Sequence, residues 1–418
     1  MAIFSNMISV FFLAFFVSIA SSNHVAGPGG PLTNAVNQFS TELFEAVTQG
    51  GGGGGGGGGN NNNNNNNNIL VGGMSAHIAL ALLSLGATGN TLNELNQGLH
   101  LQDDSTKASY QQAIQKMNSY KQVQFQWADK LYIQNGNGLN PGFQASASQI
   151  FNIEVENIDF TNGGQAAAQI NSWVEKNTHN TVNDLVKGGD FNGNTVSVLV
   201  NTLYFQGGWD KPFNPSNTAQ QDFHVKGGGT VKVNMMNQQC DTKYGDDAGL
   251  DAKILEMAFN GNEMSVVFIL PNQADGLANL ENKLKNTNVA GLVKNLTQQT
   301  VNVNLPKFGV GNANVFDDAI CKLGMCAMFN PANAELKGIL ANPNIPLQVT
   351  HVYHKTYFNV HEGGVTTGAA AAAAVAKTNQ PSKRSNPQQF TADHPYFFAG
   401  INEDGQIVFS GHFTGQNN

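Results

Sequence analysis

Charge is scarce in this chain. Of its 418 residues only 12% are charged, and the balance is acidic, with 21 Lys and Arg against 29 Asp and Glu for a formal net charge of -8. There is no basic field to draw nucleic acid or an anionic membrane surface, so neither is expected as a partner. Cysteine is nearly absent: Cys240, Cys321 and Cys326 are an odd set in a long chain, which excludes a disulfide scaffold. Cys321 and Cys326 could close a bridge only if the local backbone brings them together, and three free thiols are the expectation. Beyond Ala20 no continuous apolar run is long enough to span a membrane. Missing too are the G-x-S-x-G elbow, the phosphate-cradling G-x-x-x-x-G-K-[ST] loop and the H-E-x-x-H helix. Gly227 to Gly229 lack the lysine and hydroxyl a phosphate cradle needs and read as a hairpin turn. His351, His354, His361 and Glu362 resemble a metal cluster in composition only. On a strand His351 and His354 face opposite sides, a poor chelate, and His354 is expected buried and hydrogen-bonded instead. No nucleophile stands with a base, so an enzyme, a metal and a cofactor are not expected.

What is present is enough apolar material, 40% of residues with 9% aromatic, to fill a large core. Met7 to Ala20 is apolar and followed by small residues, which predicts a secretory signal over 1–22 and an extracellular protein. Asn295-Leu296-Thr297 is a glycosylation sequon that fits secretion. Gly50–Gly59 and Asn60–Asn68 form a low-complexity insert with nothing to bury. It joins two predicted helices: Val36, Phe39, Leu43, Phe44 and Val47 recur at helical spacing before it, and Ser75 to Leu85 is apolar after it. Farther on, "QVQFQWADKLYIQ" alternates as a strand, "QAAAQINSWVEKNTHNTVNDLV" reads as a helix, and "VSVLVNTLYFQ" suits a strand covered on both faces. "SVVFILPN", "VNVNLPKFGV", "THVYHKTYFNV", "HPYFFAGI" and "GQIVFSGHF" are strand-like and separated by turn residues. The class is α+β, with helices early and sheets late.

An unusual stretch follows the strand "THVYHKTYFNV": "HEGGVTTGAAAAAAVAKTN", His361 to Asn379. Val365, Thr367, Ala369, Ala371 and Ala373 would share one face if extended, and none is charged or large. Read alone, the alanines suit a short helix or a linker, since alanine is the best helix former. In company they resemble the serpin family, whose order of strand, glycine hinge, small-residue run, polar stretch and final strands is matched here. "VNTLYFQGGWDKPF" with Asn201 and Trp209, "LPKF" from Leu305, "LGMCAMFNPANAELKGI" from Leu323, "HVYHK" from His351 and "DHPYFF" from Asp393 occur in the family's order, and the likeness runs from about Leu32 to Gly411.

The resemblance implies a three-sheet domain of roughly nine helices over 23–418, with a reactive-centre loop over 362–394. It implies a target serine protease that attacks the loop, a covalent acyl-enzyme complex, and insertion of the cleaved arm into the main sheet. Glu362 stands at the family's glutamate before the loop and Gly364 at its glycine, with Val365, Thr367, Ala369 and Ala371 in the hinge arm. Ser75, Asn201 and His354 match the shutter where the sheet opens, and Trp209 the region above it. Gly72 and Gly73 replace the family's Ser-Pro, at a cost in backbone entropy. Counting about seventeen residues from Glu362 gives the Thr378–Asn379 bond. Lys377–Thr378, one residue earlier, suits a trypsin-like protease and is favoured. Arg384–Ser385 would leave the arm too long. A monomeric inhibitor is the first expectation, and a non-inhibitory carrier, chaperone or storage serpin is the alternative. "TKASYQQAIQKMNSYKQ" has only Lys107, Lys116 and Lys121, so heparin binding is not expected.

Overall fold

The computed structural model describes residues 30–50, 68–102, 104–180, 182–366 and 386–416. The predicted signal and the body of the Gly/Asn insert lie outside them. In chain order the helices are α1 (Pro31–Gln49), α2 (Gly73–Gly86), α3 (Gly89–Gly98), α4 (Asp104–Asn118), α5 (Pro141–Ser146), α6 (Gly163–Asn177), α7 (Leu277–Leu284), α8 (Val289–Asn295) and α9 (Asp317–Lys322). The strands are β1 (Ile69–Val71), β2 (Val123–Gln134), β3 (Glu154–Ile158), β4 (Ser197–Gly208), β5 (Ala219–Val225), β6 (Gly229–Asp247), β7 (Ala252–Ala258), β8 (Met264–Pro271), β9 (Thr297–Pro306), β10 (Phe308–Val315), β11 (His351–His361), β12 (Gly364–Thr366), β13 (Gln388–Thr391), β14 (Tyr396–Asn402) and β15 (Ile407–Phe413).

Local chemistry explains most of these elements. α1 opens on Pro31, whose fixed φ suits the first helical turn, and buries Val36, Phe39, Leu43, Phe44 and Val47 along one stripe. α2 is apolar nearly all round and is almost wholly buried, so it runs through the interior. Every residue of β4 from Ser197 to Phe205 is buried, as a strand covered on both faces requires. α6 stops earlier than its sequence pattern predicts. His179 and Asn180 take left-handed backbone, with φ of 52° and 58°, which ends the helix, and Asn183 to Lys187 lie outside it.

The strands form two sheets. One has six strands in the order β10-β11-β12-β4-β2-β3, and below β12 its strands β11 and β4 also pair directly. The other has nine, in the order β1-β15-β14-β8-β7-β6-β9-β13, with β5 beside β6. The two smaller of the expected three sheets are continuous here because β6 serves both: its Gly229–Met235 stretch pairs with β5, while Met235–Tyr244 pairs with β9 and Lys243–Asp247 with β7. Between the two sheets lies an aromatic core. Phe358 of β11 stacks on Phe398 of β14 at 5.2 Å, and Phe205 of β4 meets Phe409 of β15 at 5.7 Å. On the outer face of the six-stranded sheet, Tyr132, Val198, Val200 and Tyr353 form a second cluster with Ile170 and Val174 of α6.

One expectation is corrected here. Cys321 and Cys326 form a disulfide rather than staying free, because the chain doubles back after α9 at Gly324, φ 84°, and brings their Cα atoms to 4.5 Å. Cys240 is free and buried. Thiol titration of the denatured, unreduced protein should therefore find one reactive thiol, and prior reduction should reveal the other two; three without reduction would contradict the pairing.

Candidate functional site

The six-stranded sheet has a seam. β11 and β4 pair in parallel from His351↔Val198 to Thr356↔Leu203. Above that they separate, and β12 enters the gap antiparallel to both, with Val365 opposite Val360 on one side and Gly207 on the other. Val365 is fully buried there. The gap is narrow at its mouth. A Cβ on Gly364 would lie 2.1 Å from the Gly207 carbonyl oxygen and 2.7 Å from the Gly208 Cα, so only glycine permits this approach of two backbones.

Where β11 and β4 still touch, a buried polar network crosses the seam. The Gly72 amide donates to His354 Nε2 at 3.1 Å, which leaves the imidazole proton on Nδ1, where it donates to Asn201 Oδ1. Asn201 Nδ2 in turn donates to Asp129 Oδ1 on β2. The Ser75 hydroxyl lies 3.1 Å from the Gly72 carbonyl and 3.2 Å from Asn201 Oδ1 and can donate to either. Phe316, just before α9, stacks on the His354 ring at 4.4 Å. Burial pushes His354 down to about 3, so it is neutral, the state the amide donor from Gly72 requires. Burial pushes Asp129 up to about 8, against the opposing hydrogen bonds from Asn201 and the Thr202 backbone.

The structure thus brings Ser75, Asn201 and His354 together and adds Asp129, which sequence reasoning missed. A signal was there: in "WADKLYIQ" the period of two places Asp129 on the same face as Leu131 and Ile133, a carboxyl pointing into the core. The glycines at 72 and 73 also read differently in three dimensions. A Cβ on Gly73 would lie 2.5 Å from Ser40 Cβ and 2.9 Å from Ser40 Cα, so α2 begins in direct contact with α1. A Cβ on Gly72 would crowd the Ser75 hydroxyl at 2.9 Å and the His354 ring at 3.0 Å.

Above the seam Trp209 stands apart from that network. It stacks on Phe259 at 4.7 Å, its indole donates to the His361 carbonyl at 3.1 Å and its amide to the Gly363 carbonyl at 3.0 Å. Glu362 pairs with Lys307 at 2.9 Å and accepts from the Thr218 hydroxyl at 2.9 Å. Burial alone would raise its carboxyl, but the hydrogen bonds from Lys307, the backbone and Thr218 outweigh burial and hold it low. Glu362, Gly364 and Val365 are therefore all anchored. Thr367, Ala369, Ala371, Lys377, Thr378, Asn379, Arg384 and Ser385 lie outside the described residues. Asn295 is exposed at the end of α8. No group of His, Cys, Asp and Glu among the described residues could hold a metal ion. No helix among them is long and apolar enough to cross a membrane.

A family model described as Serpin (serine protease inhibitor) matches residues 59–415. Antitrypsin of Bombyx mori is 30% identical over 401 residues, covering 96% of this chain and 98% of its own. Alaserpin of Manduca sexta is 33% identical over 345 residues, covering 82% and 86%. The crystal structure of a highly specific serpin of the insect Tenebrio molitor matches at 32% identity and a TM-score of 0.81, covering 92% of this chain and 98% of that one. Human thyroxine-binding globulin complexed with its hormone shares the fold, with a TM-score of 0.81 at 23% identity, covering 93% and 100%.

The seam network makes a pH prediction. Asp129 titrates near 3.8 when unfolded and near 8 when folded, so its contribution is complete below the lower value and is lost as pH rises toward the upper. His354 runs the other way: its contribution is complete above 6.5 and is lost as pH falls toward 3. The two slopes oppose each other between 3.8 and 6.5, and only the Asp129 slope remains above that. Asp129→Asn, isosteric with the neutral acid, should therefore gain on wild type from about pH 6.5 to 8, by at most about 1.4 kcal/mol per pH unit. Denaturant midpoints across that range check it; parallel curves would show that Asp129 is not held neutral.

Proposed function

Because the chain belongs to the serpin family, we propose that it is a secreted inhibitor of a trypsin-like serine protease, cleaved at Lys377–Thr378 and acting by insertion of the cleaved arm. The protein serves as a substrate rather than a catalyst. The protease serine oxygen attacks the Lys377 carbonyl carbon, the Lys377–Thr378 amide breaks, and Thr378 leaves as a new amino terminus carrying the proton from the protease histidine. Lys377 remains as an ester on the protease. The freed arm then adds to the sheet as a strand, as serpin loops do generally, and carries the acyl-enzyme with it.

The observation that supports this reading most is the seating of β12 between the parted strands β4 and β11. Its register can be extended residue by residue. Beyond Val365, the inward positions would be Thr367 between Phe358 and Phe205, Ala369 between Thr356 and Leu203, Ala371 between His354 and Asn201, and Ala373 between Val352 and Leu199. Both flanking strands arrive independently at Ala371 for the level of the Asn201–His354 pair. Those neighbours are already buried, so each inserted side chain must be small and uncharged. Extended that far, the same register would carry Lys377 just past Ser197, the first residue of β4, so an arm ending there would fill the seam. An arm ending at Arg384 would overrun it. The sequon at Asn295 is exposed and carries an N-glycan in this reading.

Two experiments test the proposal. Incubation with trypsin should yield an SDS-stable complex and a released peptide beginning at Thr378; clean cleavage with no complex would favour a non-inhibitory serpin instead. In Ala371→Glu, an unpaired carboxylate would have to enter beside His354 and Asn201, a burial that costs several kcal/mol. That variant should be cleaved at the wild-type rate and form no complex.

A further inference from the structure

The turn into β12 carries a buried histidine whose side chain is otherwise poorly served. His361 is the last residue of β11, is 5% exposed, and its Nδ1 accepts a hydrogen bond from the Gly363 amide at 3.1 Å. That bond closes the turn into β12. The carbonyls of the same turn are held from the β4 side: the Trp209 indole donates to the His361 carbonyl, the Phe213 amide to the Glu362 carbonyl at 2.8 Å, and the Trp209 amide to the Gly363 carbonyl. The Gly363 amide thus depends on the imidazole, and the imidazole must be neutral, since a protonated ring has no lone pair left on Nδ1. The other ring nitrogen then carries the hydrogen, and Nε2 has no hydrogen-bond partner among the described residues. A buried donor left unpaired is a cost.

We propose that His361 is a positioning residue that seats β12 in the seam through its neutral ring, and that protonation of this ring unseats the hinge. Losing the acceptor frees the Gly363 amide and opens the turn that delivers Gly364 and Val365 between β4 and β11. The charged groups that reach the ring are Glu362 on its own strand end and Lys307 between β9 and β10. Facing it, β4, the residue after it and β12 contribute Gly207, Gly208, Trp209 and Gly364, none of them titratable. Burial lowers His361 below its ordinary value; Glu362 works against this and Lys307 adds to it. The seated state therefore binds the proton less well than the unseated one, so seating is complete above about pH 6.5 and is lost as pH falls below it. The two network groups titrate elsewhere, His354 near 3 and Asp129 near 8. An acid environment would present an unseated loop, so the consequence for inhibition rests on the function proposed above, while the seating itself does not.

Hydrogen–deuterium exchange of the intact protein, read on the peptide spanning Glu362 to Thr366 and corrected for intrinsic rates, tests this without any protease. Wild type should lose protection there as pH falls below about 6.5, by up to about tenfold per pH unit for one proton. His361→Asn keeps an acceptor oxygen near the Nδ1 position but does not titrate, and should hold its protection flat over the same range. His361→Leu should lack the protection at every pH. A flat wild-type profile, or an equal loss in His361→Asn, overturns the inference while leaving the trypsin result untouched. A pH-dependent hinge in a protein that forms no trypsin complex would sustain it and count against inhibition instead.

Discussion

Everything in this molecule is arranged around a parallel ladder that is incomplete. β11 and β4 hydrogen-bond to each other only from His351↔Val198 to Thr356↔Leu203, and beyond that point each turns its free edge to the short strand β12. An unpaired edge inside a sheet is unstable unless something covers it, because backbone donors and acceptors removed from water must be satisfied. Three residues of β12 meet that need at the mouth. Below them the edge closes on itself, and the join is reinforced by groups from four separate parts of the chain: the Gly72 amide and the Ser75 side chain at the start of α2, and the side chains of Asp129 on β2, Asn201 on β4 and His354 on β11.

The network at the join is polar where the surrounding interior is apolar, and that choice has a physical consequence. An apolar join would seal the seam as permanently as the rest of the core. Hydrogen bonds between buried neutral groups are directional and hold one geometry well. His354 contributes as a neutral ring, and Asp129 accepts from Asn201 while burial opposes its charge. The glycines at the mouth serve the same end sterically. Gly364 lets its backbone lie against those of Gly207 and Gly208, Gly207 leaves room for the Phe259 ring, and Gly73 lets α2 begin against Ser40. Both devices keep the packing tight along the seam.

Much of this was legible in the chain before folding. The long helices and the buried strands follow from periodicity, whereas the small-residue stretch after Glu362 suited a short helix or a linker when read alone and became an insertable arm only through the resemblance to the serpin family. The boundary of α6 was not legible, because its end depends on left-handed backbone at His179 and Asn180 rather than on any break in the apolar pattern. The bridge between Cys321 and Cys326 was not either, since five residues of separation permit pairing only when the chain turns back on itself. Asp129 lay open to the eye in an alternating strand, but without its partners a lone inward carboxyl has no meaning.

The division between the two levels has a simple cause. Periodicity, turn residues and side-chain size act over a few positions, and these by themselves determined the α+β class and the principal helices and strands. Which groups meet across the seam is decided by contacts between distant parts of the chain: Gly72 and His354 are 282 residues apart, Asn201 and His354 153, Asp129 and Asn201 72. Only the packed sheets bring such groups within hydrogen-bonding range, so the closed seam, the neutral histidine within it and the depth to which β12 is seated belong to the tertiary structure alone.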